Sequence, residues 1–321
     1  MQQKVNASCI DLYSPYCPCM LAETNHCIVC SHLKGQSTCD CNWTGLCIMY
    51  EKHWQQKICS AEKPTIRMEL ETVLEHKELI AKNTYLLGFT VSEMLASELQ
   101  KTGSFIFLKK RNDPEYFHFP VGVMKVTGQL VEVVVEDAGP KSNRLLDSDG
   151  QLFVRGPYYN GILGQPWIDN ITCGTIVLVA GGLGQAPALP IGNKLLANKN
   201  NVIVIVAPGK IEKIFIGQPL REQGAIVYSV DSLRKSGMEI LGRLFEAGGQ
   251  MDLVVSAGPD EQHYGIISTM QRAGVNIPMA ATNNATMCCG EGICGSCIRE
   301  TADNRRLRMC KVQADFTEIT I

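Results

Sequence analysis

Four cysteines near the C-terminus carry the strongest chemical signal in the chain. Cys289, Cys294, Cys297 and Cys310 fall in the pattern C-x4-C-x2-C-x12-C. This spacing suits a plant-type 2Fe–2S cluster, in which four thiolates hold two irons. Gly290, Gly292 and Gly295 lie between the first three thiols. They let a tight loop wrap the cluster and turn backbone N–H groups toward its sulfides. Structural zinc is the rival reading. Zinc sites more often pair two CxxC knuckles, whereas here one knuckle joins a C-x4-C step. Cys288 is one thiol too many and is expected to be a buried residue packed beside the site.

A second cysteine cluster lies at the other end. Cys17, Cys19, Cys27, Cys30, Cys39, Cys41 and Cys47 follow the spacing C-x-C-x7-C-x2-C-x8-C-x-C-x5-C. So dense a set cannot sit in a conventional hydrophobic core, and units of this size usually need a metal or disulfides. An iron–sulfur cluster, a four-cysteine zinc knuckle, or one metal site with spare thiols all remain open. The CxxC pair Cys27 and Cys30 supplies the first expected ligands. Iron–sulfur is preferred because the other end already carries such a motif. Between Cys47 and Cys288 lie only Cys59, at the edge of the N-terminal set, and Cys173.

Glycine marks the other candidate sites. Val177-Leu-Val-Ala-Gly181-Gly182-Leu-Gly184-Gln-Ala-Pro187 leaves an apolar run and enters a helical stretch, Ala188 to Ala197. Such a turn lets a dinucleotide pyrophosphate approach the backbone at a helix N-terminus, and a plain strand-to-helix turn is the alternative. Gly258-Pro259 ends a later strand on the same edge of the sheet. Arg155-Gly-Pro-Tyr158-Tyr159-Asn160-Gly161 offers aromatic rings on which an isoalloxazine can stack, or else is a turn with surface tyrosines. Gly139-Pro-Lys141-Ser142-Asn143-Arg144-Leu-Leu146 reads as a capped short helix whose free N–H groups suit a phosphate.

The elements that must position these residues have two textures. From 65 to 135, short apolar runs (65–71, 85–91, 104–108, 130–135) alternate with turn residues and predict a small antiparallel barrel. From about 174, β-branched runs at 175–179, 201–206, 225–228 and 252–256 alternate with helical stretches, the signature of a parallel α/β sheet. The expected organisation is a Cys-rich metal segment over 1–62, an antiparallel β-barrel over 63–168, a nucleotide-binding α/β domain over 169–281 and a 2Fe–2S segment over 282–321. The boundary between barrel and sheet falls near Gln165-Pro-Trp.

Composition narrows the function. Lys and Arg total 30 against 32 for Asp and Glu, which argues against a binder of nucleic-acid backbones. The N-terminus lacks the apolar core of a secretory leader and no run is long enough to span a bilayer, so a cytoplasmic, reducing setting and no membrane contact are expected. Thiols there point to metal or redox chemistry rather than disulfides. There is no HExxH, no Ser/His/Asp set and no paired-carboxylate motif. No catalytic residue is therefore assigned, and substrate chemistry is expected on a partner chain.

In this order, the Arg155–Gly161 turn, the Ala180–Pro187 turn, Gly258-Pro259 and the C-terminal cysteine quartet resemble the ferredoxin–NADP reductase superfamily. The resemblance covers residues from about 64 to 321. Within that superfamily, the chain resembles the iron–sulfur electron-transfer subunit of NAD-linked dihydroorotate dehydrogenases, and the related small subunit of NADH-dependent ferredoxin:NADP oxidoreductase is also similar. It implies FAD, NAD(P) and a 2Fe–2S cluster, with electrons exchanged with a catalytic flavoprotein or dehydrogenase subunit in a hetero-oligomer. It also makes the barrel over 63–168 one of the FAD-binding type and places FAD against Pro120, Val121 and Gly122. There the family's Arg-Pro-x-Ser reads Phe119-Pro120-Val121-Gly122-Val123, without the arginine and the hydroxyl. Lys141 and Arg144 are the cations available to compensate; otherwise FAD binds loosely or not at all, and the chain is a non-catalytic electron wire or docking subunit. Gln185 is bulkier than the family's small residue and is expected to crowd the nicotinamide nucleotide. Lys210 and Lys213 follow the second sheet strand, near enough for a 2′-phosphate or simply solvated, so NAD and NADP both stay open.

Overall fold

The computed structural model describes residues 8–11 and 67–320. The N-terminal thiols Cys17 to Cys47 lie outside the described residues. A two-residue strand, β1 (Ser8–Cys9), comes first. Then β2 (Glu69–Ala81), β3 (Thr84–Thr90), β4 (Phe105–Lys110), β5 (Phe119–Thr127), β6 (Leu130–Glu136) and β7 (Gln151–Tyr158) close an antiparallel barrel in the order β2-β3-β6-β5-β4-β7. Alternation drives the closure. In β6, Val131, Val133 and Val135 all turn to one core with Phe89, Leu108 and Val154, and a one-residue slip would expose the whole set. The expected runs at 85–91, 104–108 and 130–135 lie on β3, β4 and β6; β5 and β7 are the strands that the apolar runs did not mark.

β8 (Ile162–Leu163) follows the barrel directly but pairs antiparallel with β13 (Met279–Thr282) in the second sheet. That sheet also contains β9 (Thr175–Gly181), β10 (Asn201–Ala207), β11 (Ile226–Ser229) and β12 (Leu253–Ala257), in the order β11-β10-β9-β12-β13-β8. All but the β8 edge are parallel. Val177, Val179, Val254 and Val255 are fully buried, as expected of strands covered on both faces. The chain runs outward from β9 to β10 and returns on the other side of β9 as β12. Their C-terminal ends therefore form a topological switch point, where open α/β sheets bind ligands.

The described helices are α1 (Glu93–Leu99), α2 (Pro140–Leu146), α3 (Gln165–Asn170), α4 (Gln185–Ala197), α5 (Gly217–Glu222), α6 (Met238–Glu246) and α7 (Asp260–Arg272). The C-terminal segment adds β14 (Ile298–Thr301), β15 (Arg306–Arg308), β16 (Val312–Gln313) and β17 (Ile319–Thr320), and β16 pairs antiparallel with β1. One apolar core runs through all three parts: Phe105, Phe107 and Tyr158 of the barrel, Val177 and Met279 of the sheet, and Cys297, Met309 and Cys310 of the thiol segment. No helix among the described residues is long and apolar enough to cross a membrane.

Candidate functional site

The thiol loop has the backbone its glycines imply. Gly290, Gly292 and Gly295 all have positive φ, at 71°, 73° and 74°, the left-handed region that side chains disfavour. A Cβ on Gly290 would also lie 2.7 Å from the Tyr158 ring and 2.8 Å from the Phe107 ring. The loop converges on Cys289, whose Sγ accepts a hydrogen bond from the Glu291 N–H at 3.3 Å. Hydrogen bonding with Cys310 is the main reason that the Cys289 thiol is lowered to about 4; burial opposes this, and backbone N–H groups of Cys294, Glu291 and Ile293 add to it. The Cys297 thiol falls to about 7, again chiefly through Cys310, and Cys310, bonded to both and buried, is raised. Cys297 and Cys310 are buried, Cys289 is half-buried and Cys294 is exposed, 3.1 Å from Ser296 Oγ. Four soft donors in a loop rich in backbone N–H groups fit an iron–sulfur cluster, because such bonds to sulfur stabilise its negative charge. Cys288 is exposed rather than buried, so it does not pack beside the site as expected.

Long-range polar side chains hold this loop in place. Asn160 Nδ2 donates to the carbonyls of Met309 (2.5 Å) and Val312 (2.8 Å), on either side of Cys310. Asn283 Nδ2 donates to the Met309 carbonyl at 2.7 Å, and Gln313 Nε2 donates to Asn160 Oδ1 at 2.7 Å. Beneath the loop lies a quartet of charges. Asp11 Oδ1 meets Arg67 Nη2 at 3.1 Å, its Oδ2 meets Lys311 Nζ at 2.5 Å, and Glu291 Oε2 lies 3.0 Å from Arg67 Nη1 and 3.2 Å from Lys311 Nζ. Burial disfavours both cations, yet the carboxylates of Asp11 and Glu291 outweigh it and raise Arg67 and Lys311 above their ordinary values. The Tyr158 hydroxyl donates to Glu291 Oε1 at 2.9 Å.

A cleft of about 1750 Å³ opens between the barrel and the C-terminal edge of the sheet. It brings together Pro120, Val121 and Gly122 of β5, Lys141 and Ser142 of α2, Gly161, the Gly181, Gly182 and Gly184 turn, and Gly258 with Pro259. Met287 also lines it, two residues before Cys289, so cleft and thiol loop are continuous along the chain. Gly122 and Gly182 face open space: a Cβ on Gly122 would meet nothing within 4 Å, and one on Gly182 nothing closer than 4.0 Å. Gly184 is different, since its Cβ would fall 2.2 Å from the Ala257 carbonyl oxygen. It is glycine because α4 starts hard against the end of β12.

Four expected contacts are not brought to the cleft. Tyr158 is 1% exposed and stacks on Phe105 at 5.1 Å, with the Arg67 guanidinium 4.6 Å from its ring centre. Tyr159 and Asn160 are buried. The apolar core claims the Tyr158 side chain, the thiol segment claims Asn160, and Lys101 Nζ lies 4.5 Å from the Tyr159 ring centre. Asn143 is exposed on α2. Ser142 Oγ accepts from the Ala138 and Gly139 N–H groups at 3.1 Å and caps its own helix. Gln185 does not crowd the cleft. It is fully buried, its Oε1 accepting from the Phe215 N–H and its Nε2 donating to the Lys213 carbonyl, both at 2.9 Å. Arg144 is paired with Asp113, whereas the Lys141 Nζ donates to the His118 carbonyl at 2.7 Å on the cleft wall. Lys210 lines the cleft, as does Arg234.

Sequence reasoning missed the polar support under Gly258. Ser256 Oγ lies 2.6 Å from His263 Nδ1, and His263 Nε2 lies 3.0 Å from the Thr282 carbonyl oxygen. Thr282 Oγ1 accepts from the Gly258 N–H at 3.1 Å and donates to the Gly258 carbonyl at 2.9 Å. Burial pushes His263 down to about 4, so the ring is neutral at pH 7 and its two nitrogens serve one donor and one acceptor role. The spacing Ser256…His263 across a strand-to-helix turn was the available signal. A Glu69–Glu115–His118 group has metal-like geometry. Lys109 Nζ already sits 3.0 Å from Glu69 and 3.1 Å from Glu115, and makes it an ion-pair network.

A closed antiparallel barrel followed by a parallel sheet with its cleft at the switch point is a fold shared with solved reductase structures. The solved structure of an NADH-dependent reduced ferredoxin-NADP oxidoreductase superposes with a TM-score of 0.63 at 20% identity, over 78% of this chain and 89% of that one. The ferredoxin reductase of carbazole 1,9a-dioxygenase does so at 0.51 and 12% identity, over 67% of each. In sequence, the chain is 25% identical over 211 residues to the dihydroorotate dehydrogenase B (NAD(+)) electron transfer subunit of Clostridium perfringens, covering 65% of this chain and 82% of that protein. It is 27% identical over 192 residues to the probable counterpart in Methanocella arvoryzae, 56% of this chain and 67% of that one. No family model matches the chain.

Proposed function

We propose that the chain is the electron-transfer subunit of a multi-subunit oxidoreductase, passing electrons between a nicotinamide cofactor, FAD and iron–sulfur clusters and, through them, to or from a catalytic partner subunit. The observation that carries this reading is the single cleft joining the barrel wall at Pro120–Gly122 to the glycine turns at Gly181–Gly184 and Gly258-Pro259, with the thiol loop beginning two residues beyond its lining. The names of the relatives, electron transfer subunits of NAD(+)-linked enzymes, support it. Flavin would supply the exchange between two-electron hydride and one-electron cluster chemistry. This chain's residues bind and orient. The backbone at Gly181 and Gly182 receives the pyrophosphate, Gly258 and Pro259 receive the nicotinamide, and Lys141 is the barrel-side cation next to the flavin phosphates. Cys289, Cys294, Cys297 and Cys310 ligate the 2Fe–2S cluster, and thiols among Cys17, Cys19, Cys27, Cys30, Cys39, Cys41 and Cys47 hold a further iron–sulfur cluster.

Gly182→Val tests the nucleotide site. Gly182 has φ +55° and open space before it, so the variant bears local backbone strain of about 2 kcal/mol while projecting a branched side chain into the cleft. Reduction by NAD(P)H should slow at least tenfold with the cluster spectrum unchanged; an unchanged rate would place the nucleotide elsewhere. The second reading, an electron wire with a decayed flavin site, is favoured by Arg144 being committed to Asp113 and by the absence of a side-chain cation or hydroxyl at Phe119–Gly122. The visible spectrum of anaerobically purified protein separates the two: flavin bands support the first, broad iron–sulfur absorption alone the second.

A further inference from the structure

A buried charge quartet lies beneath the thiol loop. Its members come from four distant points in the sequence, Asp11, Arg67, Glu291 and Lys311, and their side chains are 1%, 2%, 15% and 4% exposed. Two of them are built into the loop itself. Glu291 is the residue whose N–H donates to Cys289 Sγ, and Lys311 follows Cys310, on which its positive charge acts directly. Arg67 joins both carboxylates. The fourth, Asp11, is brought in by the N-terminal strand. β1 pairs with β16, the Ile10 N–H donates to the Lys311 carbonyl at 2.5 Å, and the Asp11 carboxylate then closes on Arg67 and Lys311.

With all four in place, two cations face two carboxylates and the formal charge sums to zero. Such charges, out of water and beside sulfur, are screened weakly, and their field on the thiolates is strong. A 2Fe–2S centre gains one electron on reduction, so its potential follows the charge fixed around it. Lifting Asp11 away would leave two cations against one carboxylate and favour the reduced state.

We propose that Asp11, Arg67, Glu291 and Lys311 set the reduction potential of the cluster held by Cys289, Cys294, Cys297 and Cys310, and that Asp11 makes this potential depend on whether the N-terminal strand is seated. The four are positioning residues that act through the thiolates. The inference rests on the reading of those thiols as 2Fe–2S ligands.

The test is a redox titration of the full chain with dithionite and mediators, followed by EPR of the reduced cluster. Asp11→Asn and Glu291→Gln should raise the potential, Lys311→Met should lower it, and Lys311→Arg should stay near the parent. Removing one partner of a buried pair also destabilises the fold. The double variant Asp11→Asn/Lys311→Met restores a zero sum, and its potential should return toward the parent's. A purely structural role would shift Asp11→Asn and Lys311→Met in the same direction; that result, or an intact signal whose potential moves in no variant, overturns the proposal. So does a double variant that fails to return. A parent chain with no 2Fe–2S signal at all would instead overturn the ligand assignment, and the proposal with it.

Discussion

At Cys289, backbone N–H groups of Glu291, Ile293 and Cys294 and the thiol of Cys310 converge on one sulfur. The four quartet cysteines should therefore be needed where Cys288 is not. Replacing Cys289, Cys294, Cys297 or Cys310 by Ser should bleach the visible spectrum and lower iron by about two per chain, as expected for loss of a 2Fe–2S ligand. Cys288→Ser, at the exposed position beside them, should leave both unchanged. A mononuclear zinc in the loop would contradict the assignment. His263 yields a pH prediction. Burial lowers it from 6.5 to about 4, so the folded state disfavours its proton. Its contribution to stability is complete above pH 6.5 and is lost as pH falls from 6.5 through about 4. At about 1.4 kcal/mol per unit, that amounts to roughly 3 kcal/mol at most. The urea midpoint should drop between pH 7 and pH 4.5, and His263→Gln should be less stable at pH 7 but show a shallower drop. An equally steep drop in the variant would mean that other groups govern acid unfolding.

Among the elements, those set by local periodicity were legible and those set by distant partners were not. The runs at 175–179, 201–206 and 252–256 became β9, β10 and β12 because a strand buried on both faces must be apolar throughout. β5 was missed because Pro120 and Gly122, which occupy its outward positions, read as turn residues, and because its register shifts between Val123 and Lys125. The turn at Tyr158 to Asn160 reads as a flavin turn by composition, but the side chains of Tyr158 and Asn160 are claimed by Phe105, Glu291 and the Met309 and Val312 carbonyls, partners more than fifty positions away that no window can see. The charge quartet joins residues from both ends of the chain and is equally invisible, and the commitment of Gln185 to Phe215 and Lys213, about thirty positions on, also lies beyond a local window. The glycine turn shows both cases within four residues. Gly182 is open and Gly184 is packed, although the sequence presents them alike. Gly184→Ala should therefore force β12 and α4 apart and lower stability by about 1–3 kcal/mol, read as a fall in the urea midpoint. Gly182→Ala, with no such overlap, should lose about 1 kcal/mol or less. Equal losses would mean that the turn is not packed against Ala257 as described.

For the whole molecule, the decisive geometry is that Asp11 and Arg67 bound the intervening residues 12–66 and meet at 3.1 Å beside the thiol loop. Cys17 lies six positions beyond Asp11, and an extended chain reaches roughly 3.4 Å per residue. Cys17 is thus tethered to Asp11 by at most about 20 Å of extended chain. This makes the role of the N-terminal thiols testable without disturbing Asp11. Removing residues 17–60 leaves 12–16 and 61–66 to join two side chains already in contact, ample chain for that gap, and loop closure becomes easier as the loop shortens. The deletion should keep the barrel, the sheet and the 2Fe–2S EPR signal, with the potential of that cluster near the parent's because the charge sum is intact. Iron per chain should fall to about two, as one 2Fe–2S centre requires, and electron transfer to the partner should slow. Removing residues 1–60 takes Asp11 as well and should, by contrast, also raise the potential. Iron unchanged by the internal deletion, or zinc accounting for the metal lost, would make the Cys17–Cys47 segment a structural clip and remove it from the electron path.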